Sequence, residues 1–353
     1  MASRKALTST MAVLALLTAT SSAAVSLAEL VQSAKKDRTV RVAINSELGA
    51  KGIQRLRNEI KDEFGVDLDI RYTPVGSYPK RLADLIAENA AGIPASYDLT
   101  QLSDNVLAQA RRANVLEPVG WRELLTRDTL SHAVIEAYNA LHLYDSYIGM
   151  IYNADVIRDE QAPKKFRDLA DPKWKDKLTA AFYTSNYVTY AHVLGAETVV
   201  AALQGAMNNN AVFDSYSANL SRFTTGEYPI QLTSSGYLAS ARKKGVNAKW
   251  VSLDVSMNTT HAAVVPKGAR NGAGAKLIAV YLASPKGNKI LQQLSDVGNA
   301  AYAGHLAHEI TANDRKAGLK PYSPLSDPAA MKFLLSEEGR ALDKKIGTII
   351  FRR

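Results

Sequence analysis

The sequence predicts an α/β protein of two lobes, and three observations predict it. Short β-branched strands alternate with amphipathic helical stretches along most of the chain. At 353 residues, 46% hydrophobic and 22% charged, the chain has the size and composition of two ordinary globular domains. Four strand ends carry small hydroxyl or amide side chains, two in each half, which suits a cleft that grips a ligand from both sides.

Thr39 to Ile44 (TVRVAI) reads as a short strand. Ile53, Leu56, Ile60 and Phe64 then recur at helical spacing, and Gly65 stops that helix. Val66 to Tyr72 alternates as a strand, Arg81 to Ala90 is a helix, Tyr97 to Leu102 a strand, and Val106 to Ala113 a helix. This first lobe runs to about residue 143. The second opens with the apolar run from Tyr147 to Tyr152, ended by the turn formers Asn153 and Asp155. Phe166 and Leu169 sit on a short amphipathic turn, and Trp174 is an apolar anchor among Lys173, Lys175, Asp176 and Lys177.

A strand from Leu178 to Tyr183 follows, then a long Ala-rich helix from about Tyr190 to Met207 and a helix from Phe213 to Phe223. Next come the strand Pro229 to Thr233, the helix Gly236 to Lys244 and the strand Lys249 to Leu253. His261 to Val265, halted by Pro266, reads as a return crossing to the first lobe. Residues 272 to 296 form helices broken at Ser284 and Pro285, and the tail to Arg353 is expected to pack on the first lobe. The division is then 29–146 with 265–353 for the first lobe and 147–264 for the second.

The chain start has the order of a secretory signal. Arg4 and Lys5 precede the apolar run Met11 to Thr20, and small residues follow at Ser21 to Ala24 and Ser26 to Ala28. The apolar run is about half the length needed to span a bilayer. Residues 1–28 are read as a signal peptide; cleavage after Ala24 or Ala28 fits, with Ala28 preferred. With 0 Cys there is no disulfide, no thiolate zinc site and no lipid-modified cysteine. The expectation is a freely soluble periplasmic monomer.

Net charge is +9, and +7 once Arg4 and Lys5 leave with residues 1–28. The basic residues are scattered singly or in pairs such as Lys35 and Lys36, Arg111 and Arg112, or Lys243 and Lys244. They form no stripe with interleaved aromatics, which argues against nucleic acid and leaves a modest bias toward an anionic ligand or acidic partner.

In α/β sheets ligands bind beyond the carboxyl ends of strands, where the following helices point their free N–H groups. The residues at those places are Asn45 and Ser46 after the first strand, Ser103, Asp104 and Asn105 after TQL, Thr184, Ser185 and Asn186 after AAFY, and Ser234, Ser235 and Gly236 after QLT. Each alone reads more readily as a plain helix cap; together they are the candidate ligand contacts. Tyrosine is the other signal, with 16 Tyr against 7 Phe, since a phenol lines a wet cleft while burying its ring. Tyr147, Tyr152, Tyr183, Tyr187 and Tyr237 fall at element ends, and Tyr152 and Tyr237 join the candidate contacts.

Enzyme motifs are missing from the sequence. There is no G-x-S-x-G elbow and no Walker loop, and the glycines from Gly268 to Gly274 have the wrong spacing for one. His305, His308 and Glu309 are in the order of neither H-E-x-x-H nor H-x-x-E-H, and His132, His142, His192 and His261 are isolated in sequence.

Residues 147–178, YIGMIYNADVIRDEQAPKKFRDLADPKWKDKL, resemble the segment leading into the second lobe of bacterial extracellular solute-binding proteins, in particular the iron(III)-type binding proteins of ABC transporters. Thr225 to Leu232 (TGEYPIQL) is similar to a second element of that family, and the resemblance covers roughly residues 36 to 300. It implies a two-lobed periplasmic binding protein type II fold, with two crossing hinge strands and a ligand cleft between the lobes. It further implies capture of a small solute by hinge closure and delivery to an ABC permease in the inner membrane. The cargo so implied is ferric ion or its chelate, or a small anion such as a phosphonate; no resident cofactor is implied. In iron-binding relatives the loop after the second element carries two adjacent tyrosines whose phenolates hold ferric ion. Here Gly236 precedes Tyr237, so Tyr237 is the metal ligand expected if iron is the cargo. A sensory protein presenting its ligand to a receptor and a secreted enzyme on the same fold are the alternatives.

Overall fold

The computed structural model describes residues 25–37, 39–44 and 48–351. Its first half runs α1 (Leu27–Ala34), β1 (Thr39–Ile44), α2 (Gly49–Phe64), β2 (Asp69–Pro74), α3 (Tyr78–Ala90), β3 (Leu99–Ser103), α4 (Asp104–Arg112), α5 (Trp121–Leu124), β4 (Val134–Ile135) and β5 (Ala140–Asn153). Then follow β6 (Leu178–Ala181), α6 (Thr184–Leu194), α7 (Ala196–Asn208), β7 (Val212–Asp214), α8 (Tyr216–Thr224), β8 (Ile230–Ser234), α9 (Gly236–Lys243), β9 (Ala248–Val251) and β10 (Ser256–Val264). The chain ends with α10 (Gly272–Ala283), α11 (Pro285–Ser295), α12 (Leu306–Lys316), β11 (Pro321–Tyr322), α13 (Pro328–Leu334) and α14 (Glu337–Ile350).

Local signals explain most boundaries. Gly65 stops α2 by adopting φ 65°, the left-handed cap that a side chain would strain, and its N–H closes on the Lys61 carbonyl at 2.8 Å. Pro285 at the first turn of α11 and Ser284, which accepts from the Gly287 N–H, split the apolar stretch 272–296 where expected. The predicted helix 190–207 is instead two helices. Gly195, at φ 88°, breaks it between α6 and α7, and α6 begins earlier, at Thr184.

One mixed sheet of order β2-β1-β3-β10-β5-β8-β6-β7 carries both lobes. β5 is 14 residues long, about 45 Å of extended chain, so it runs through both of them. In the first lobe it pairs antiparallel with β10, and β10 with β3; in the second it pairs antiparallel with β8 and β9. The outer strands are parallel: β1 with β2 and β3, and β6 with β7 and β8. β5 and β10 are therefore the two strands that cross between lobes. Gly149 lets β9 close on β5, because a Cβ there would stand 2.5 Å from the Trp250 ring.

Each lobe has its own core. Val40, Val42, Leu99, Leu141 and Leu143 pack under α1, α2, α10 and α11. Ile148, Met150, Phe166, Trp174, Tyr190 and Leu203 form the second core, with α6 and α7.

The tail corrects a sequence expectation. α10 and α11 pack in the first core, but α14 packs on α6 and α7, and α12 packs on β5. The reason is the apolar stripe Leu342, Ile346, Ile349 and Ile350, which completes the second core that α6 and α7 leave open. The Tyr147 hydroxyl meets Thr311 of α12 at 2.6 Å, and Ser252 donates to Asp314 of α12 at 2.6 Å. α13 touches both α4 and α6 and so bridges the lobes. Replacing the fully buried Ile346 by alanine is expected to cost about 2–5 kcal/mol. Hydrogen exchange checks its location: protection should fall in α6 and α7 while α2 and α10 stay protected.

Candidate ligand-binding site

The three parallel strands of the second lobe end on one edge, and each feeds a helix. β6 leads through Phe182 and Tyr183 into α6, β7 through Ser215 into α8, and β8 through Ser235 into α9. Their first residues form a row of rings. Tyr183 and Tyr216 lie 4.8 Å apart between centroids, and Tyr216 and Tyr237 lie 5.1 Å apart. The Asn186 amide donates to the Tyr216 hydroxyl at 2.8 Å, and Tyr183 remains 41% exposed.

The helix starts differ in their caps. Ser215 caps α8 by accepting from the Ala218 N–H at 3.2 Å. Neither α6 nor α9 has a side-chain cap. Ser235, at the start of α9, instead accepts from the Tyr147 N–H at 3.1 Å and is held to the crossing strand. α6 and α9 thus present first-turn N–H groups at the strand edge, where an anion is favoured by hydrogen bonding and by the helix dipole.

In the first lobe Ser103 ends β3 and begins α4, with no side-chain cap bond, and it is buried. Asp104 accepts from the Thr260 N–H of β10 at 3.0 Å. On β5, Asp145 receives the His142 Nε2 at 3.0 Å, the Asn258 amide at 2.8 Å and the Ala300 N–H at 2.7 Å. Beside them, Gln101 donates to the Tyr78 hydroxyl at 2.5 Å and to that of Tyr144 at 2.6 Å. The Tyr78 hydroxyl also meets His261 Nδ1 at 2.9 Å, and Tyr144 stacks on the His261 ring at 4.4 Å.

Burial and charge set the ionisation of this hinge cluster. Burial pushes the Asp104 carboxyl up to about 7; the Thr260 N–H opposes this and the nearby Asp145 charge adds to it. Burial also works against charge on Asp145 and His142, but each stabilises the other. Asp145 is held below the usual carboxylate range and His142 above the usual imidazole range. Burial lowers His261 to about 3, so that imidazole is neutral.

The structure gathers the predicted residues unevenly. Thr184, Ser185, Asn186, Ser234, Ser235, Gly236 and Tyr237 share the second-lobe edge, while Ser103 and Asp104 lie at the end of β3. Asn45 and Ser46 lie outside the described residues. Tyr152 is a correction. It pairs with Ile230, the start of β8, whereas Ser234 at the other end of β8 pairs with Ile148. That puts Tyr152 about 13 Å along the strand from the helix starts, and its buried hydroxyl donates to Asp159 at 2.9 Å. Tyr147 and Tyr187 are also core residues, with hydroxyls on Thr311 and on the Ala181 carbonyl.

Sequence reasoning missed Tyr216, because the three-residue β7 before it is too short to read as a strand. It also missed Asp145, although a carboxylate inside the apolar run ALHLYDSYIGMIYN was a usable signal. Among the described residues no group of three or more His, Asp or Glu side chains comes together to hold a metal. Nor is any helix among them long and apolar enough to cross a membrane.

Solved structures share this fold, three of them as follows. FutA (IdiA) from Trichodesmium, in complex with iron and citrate, is 16% identical with a TM-score of 0.65, over 89% of this chain and 100% of that one. A substrate-binding protein of an ABC transporter from Agrobacterium tumefaciens is 14% identical with a TM-score of 0.67, over 89% and 95%. AgtB from A. tumefaciens R10, in complex with agropinic acid, is 14% identical with a TM-score of 0.62, over 89% and 99%. The expected two-lobed periplasmic binding protein fold is thus the one observed. The family model for bacterial extracellular solute-binding proteins, which bind solutes for ABC transporters rather than turning them over, matches residues 56–313. That match spans well over half of the chain, and the protein belongs to the bacterial extracellular solute-binding family.

Proposed function

We propose that this protein is the periplasmic solute-capture component of an ABC importer and that its cargo is a small solute bearing an oxyanion, such as a phosphonate or carboxylate. The observation that carries this reading is the second-lobe edge, where the uncapped starts of α6 and α9 flank the ring row Tyr183, Tyr216 and Tyr237. Backbone N–H groups and the hydroxyls of Thr184, Ser185 and Ser234 suit an oxyanion, and the rings suit the body of an organic solute.

Bare ferric ion fits this edge less well. Burial raises the phenol pKa of both Tyr183 and Tyr216, which disfavours the phenolates that a ferric ion needs. The position before Tyr237 is Gly236, whose missing Cβ would find its nearest neighbour, the Asp296 carbonyl oxygen, 4.0 Å away. The backbone does not require glycine there, and its choice leaves room beside Tyr237.

The N-terminal expectation sharpens on the same ground. Ser26 and Glu29 form a reciprocal cap on α1, whose Leu30 and Ala34 are buried in the first core. Cleavage after Ala24 keeps that cap, whereas cleavage after Ala28 removes Ser26, so Ala24 is the better site for the proposed signal peptide.

A thermal-shift panel of alkyl phosphonates, small carboxylates, ferric citrate, ferric salt and polyamines tests the cargo. An oxyanion at about 100 times its Kd should add about 2.7 kcal/mol of stability. Stabilisation by ferric salt alone, with a tyrosinate charge-transfer colour and no response to the organic anions, would sink the oxyanion reading.

A further inference from the structure

The hinge contains a weak point and a carboxylate that repairs it. The ladder between β10 and β5 shifts register between His261 and Ala262, so regular pairing is interrupted inside the crossing region. Thr260 is next to that irregularity. On its other side β10 has β11 opposite Ser256 and Met257, and β3 opposite His261 to Val264. Neither strand pairs with Thr260, and the Asp104 carboxyl fills the gap by accepting the Thr260 N–H at 3.0 Å.

Asp104 is poorly placed for a residue that only closes a hydrogen bond. It is a non-glycine residue at φ 21°, it is 8% exposed, and no lysine, arginine or histidine among the described residues forms an ion pair with it. A left-handed backbone and a buried carboxyl without a direct ion pair at one position mark a site retained for something besides stability. Asp104 is also the first residue of α4, so whatever holds it to β10 holds the end of β3 and the start of α4, one wall of the first lobe.

We propose that Asp104 is a positioning residue for solute capture: its carboxyl ties the α4 end of the first lobe to the crossing strand β10, and its ionisation selects between hinge arrangements. The groups facing it are His142 and Asp145 on β5, Thr259 and Thr260 on β10, and Tyr138 before β5. Asp145 and His142 are in 3.0 Å contact and His261 is neutral; the His142 charge favours ionisation of Asp104, but burial, with the Asp145 charge added, outweighs it. Linkage then gives the sign. The arrangement that buries Asp104 is the one in which its carboxyl titrates high, near 7, against an ordinary value of 3.8, so its advantage is complete at low pH and is lost as the pH rises from about 4 to about 7. Over that range the ionised carboxylate favours an arrangement in which it reaches water, and β10 is released from α4; above about pH 7 both arrangements are ionised and the balance levels off.

The test needs no identified cargo. Because the chain has 0 Cys, Lys51→Cys on α2 and Gln204→Cys on α7 can carry two spin labels, both at exposed positions in different lobes. Electron–electron distance measurements from pH 4.5 to 9 should show the interlobe distance of the buried-carboxyl arrangement most populated at the acid end. A second population should grow by up to about tenfold per pH unit as the pH rises toward 7 and level off above it. Asp104→Asn, which keeps an acceptor for the Thr260 N–H without the charge, should hold the low-pH distance throughout. An unchanged distribution in the wild-type background over the whole range would overturn the proposal, and that measurement requires no variant at the hinge. So would an Asp104→Asn protein that keeps the wild-type midpoint, or a transition removed by His142→Gln but not by Asp104→Asn.

Discussion

Replacing Asp98 by alanine is expected to cost about 3–5 kcal/mol, the largest stability loss from any single polar side chain described above. Asp98 is 0% exposed and stands just before β3. Its carboxylate accepts from the Arg41 N–H at 2.9 Å and from the Arg41 guanidinium at 3.0 and 3.2 Å. It also accepts from the Arg270 N–H at 2.8 Å and the Asn271 N–H at 3.1 Å. One side chain thus joins β1, β3 and the turn into α10. Alanine would leave three backbone donors and a half-covered guanidinium without that acceptor. Asp98→Asn keeps an oxygen in place and should cost less. Urea unfolding with an unchanged m-value is the measurement, since only the midpoint should move. The pH dependence has a definite sign. Burial opposes ionisation of Asp98, but the Arg41 guanidinium and the backbone donors outweigh it and hold the carboxyl below its ordinary value of 3.8. Its contribution is therefore present above about pH 3.8 and is lost as the pH falls through the lowered folded-state value; the alanine variant should lack that acid-dependent loss.

Asp98 also shows which features the sequence could and could not display. In TVRVAI and YDLTQL the strand pattern is plain, because alternating or continuous apolar side chains report burial directly. The role of Asp98 depends on Arg41 and Asn271, residues far apart in sequence, and nothing local distinguishes it from a surface aspartate. The same limit explains the tail. Leu342, Ile346, Ile349 and Ile350 have helical spacing that announces a buried face, but spacing does not say which lobe covers it. The helix start at Gly236 was legible because hydroxyl-rich residues follow an apolar run, whereas the helix expected from about Tyr190 begins at Thr184. Tyr216 was not, because its partners Tyr183, Tyr237 and Asn186 are brought beside it only by the parallel pairing of β6 with β7 and β8.

Tyr237 is where the cargo reading meets its sharpest test, through a comparison of two variants. If the second-lobe edge holds an organic oxyanion, Tyr237 contributes chiefly its ring, beside Tyr216 at 5.1 Å. Losing a buried ring face costs about 1.5–3 kcal/mol, and the lost aromatic pairing about 0.5–1.5 more. Tyr237→Ala should then weaken binding of the stabilising phosphonate or carboxylate by about 30- to 2,000-fold. Tyr237→Phe keeps the ring and loses at most one hydrogen bond, about 0.5–1.5 kcal/mol, so it should weaken binding by about tenfold or less. A ferric cargo reverses the ranking. A phenolate that coordinates the ion is lost equally in both variants, so phenylalanine would be as damaging as alanine. Calorimetric titration of the two variants, with thermal melts to confirm that each is folded, reads the difference directly. Equal, severe losses would assign the cargo to the metal, and a wide gap between them would assign it to the rings and the helix starts at Thr184 and Gly236.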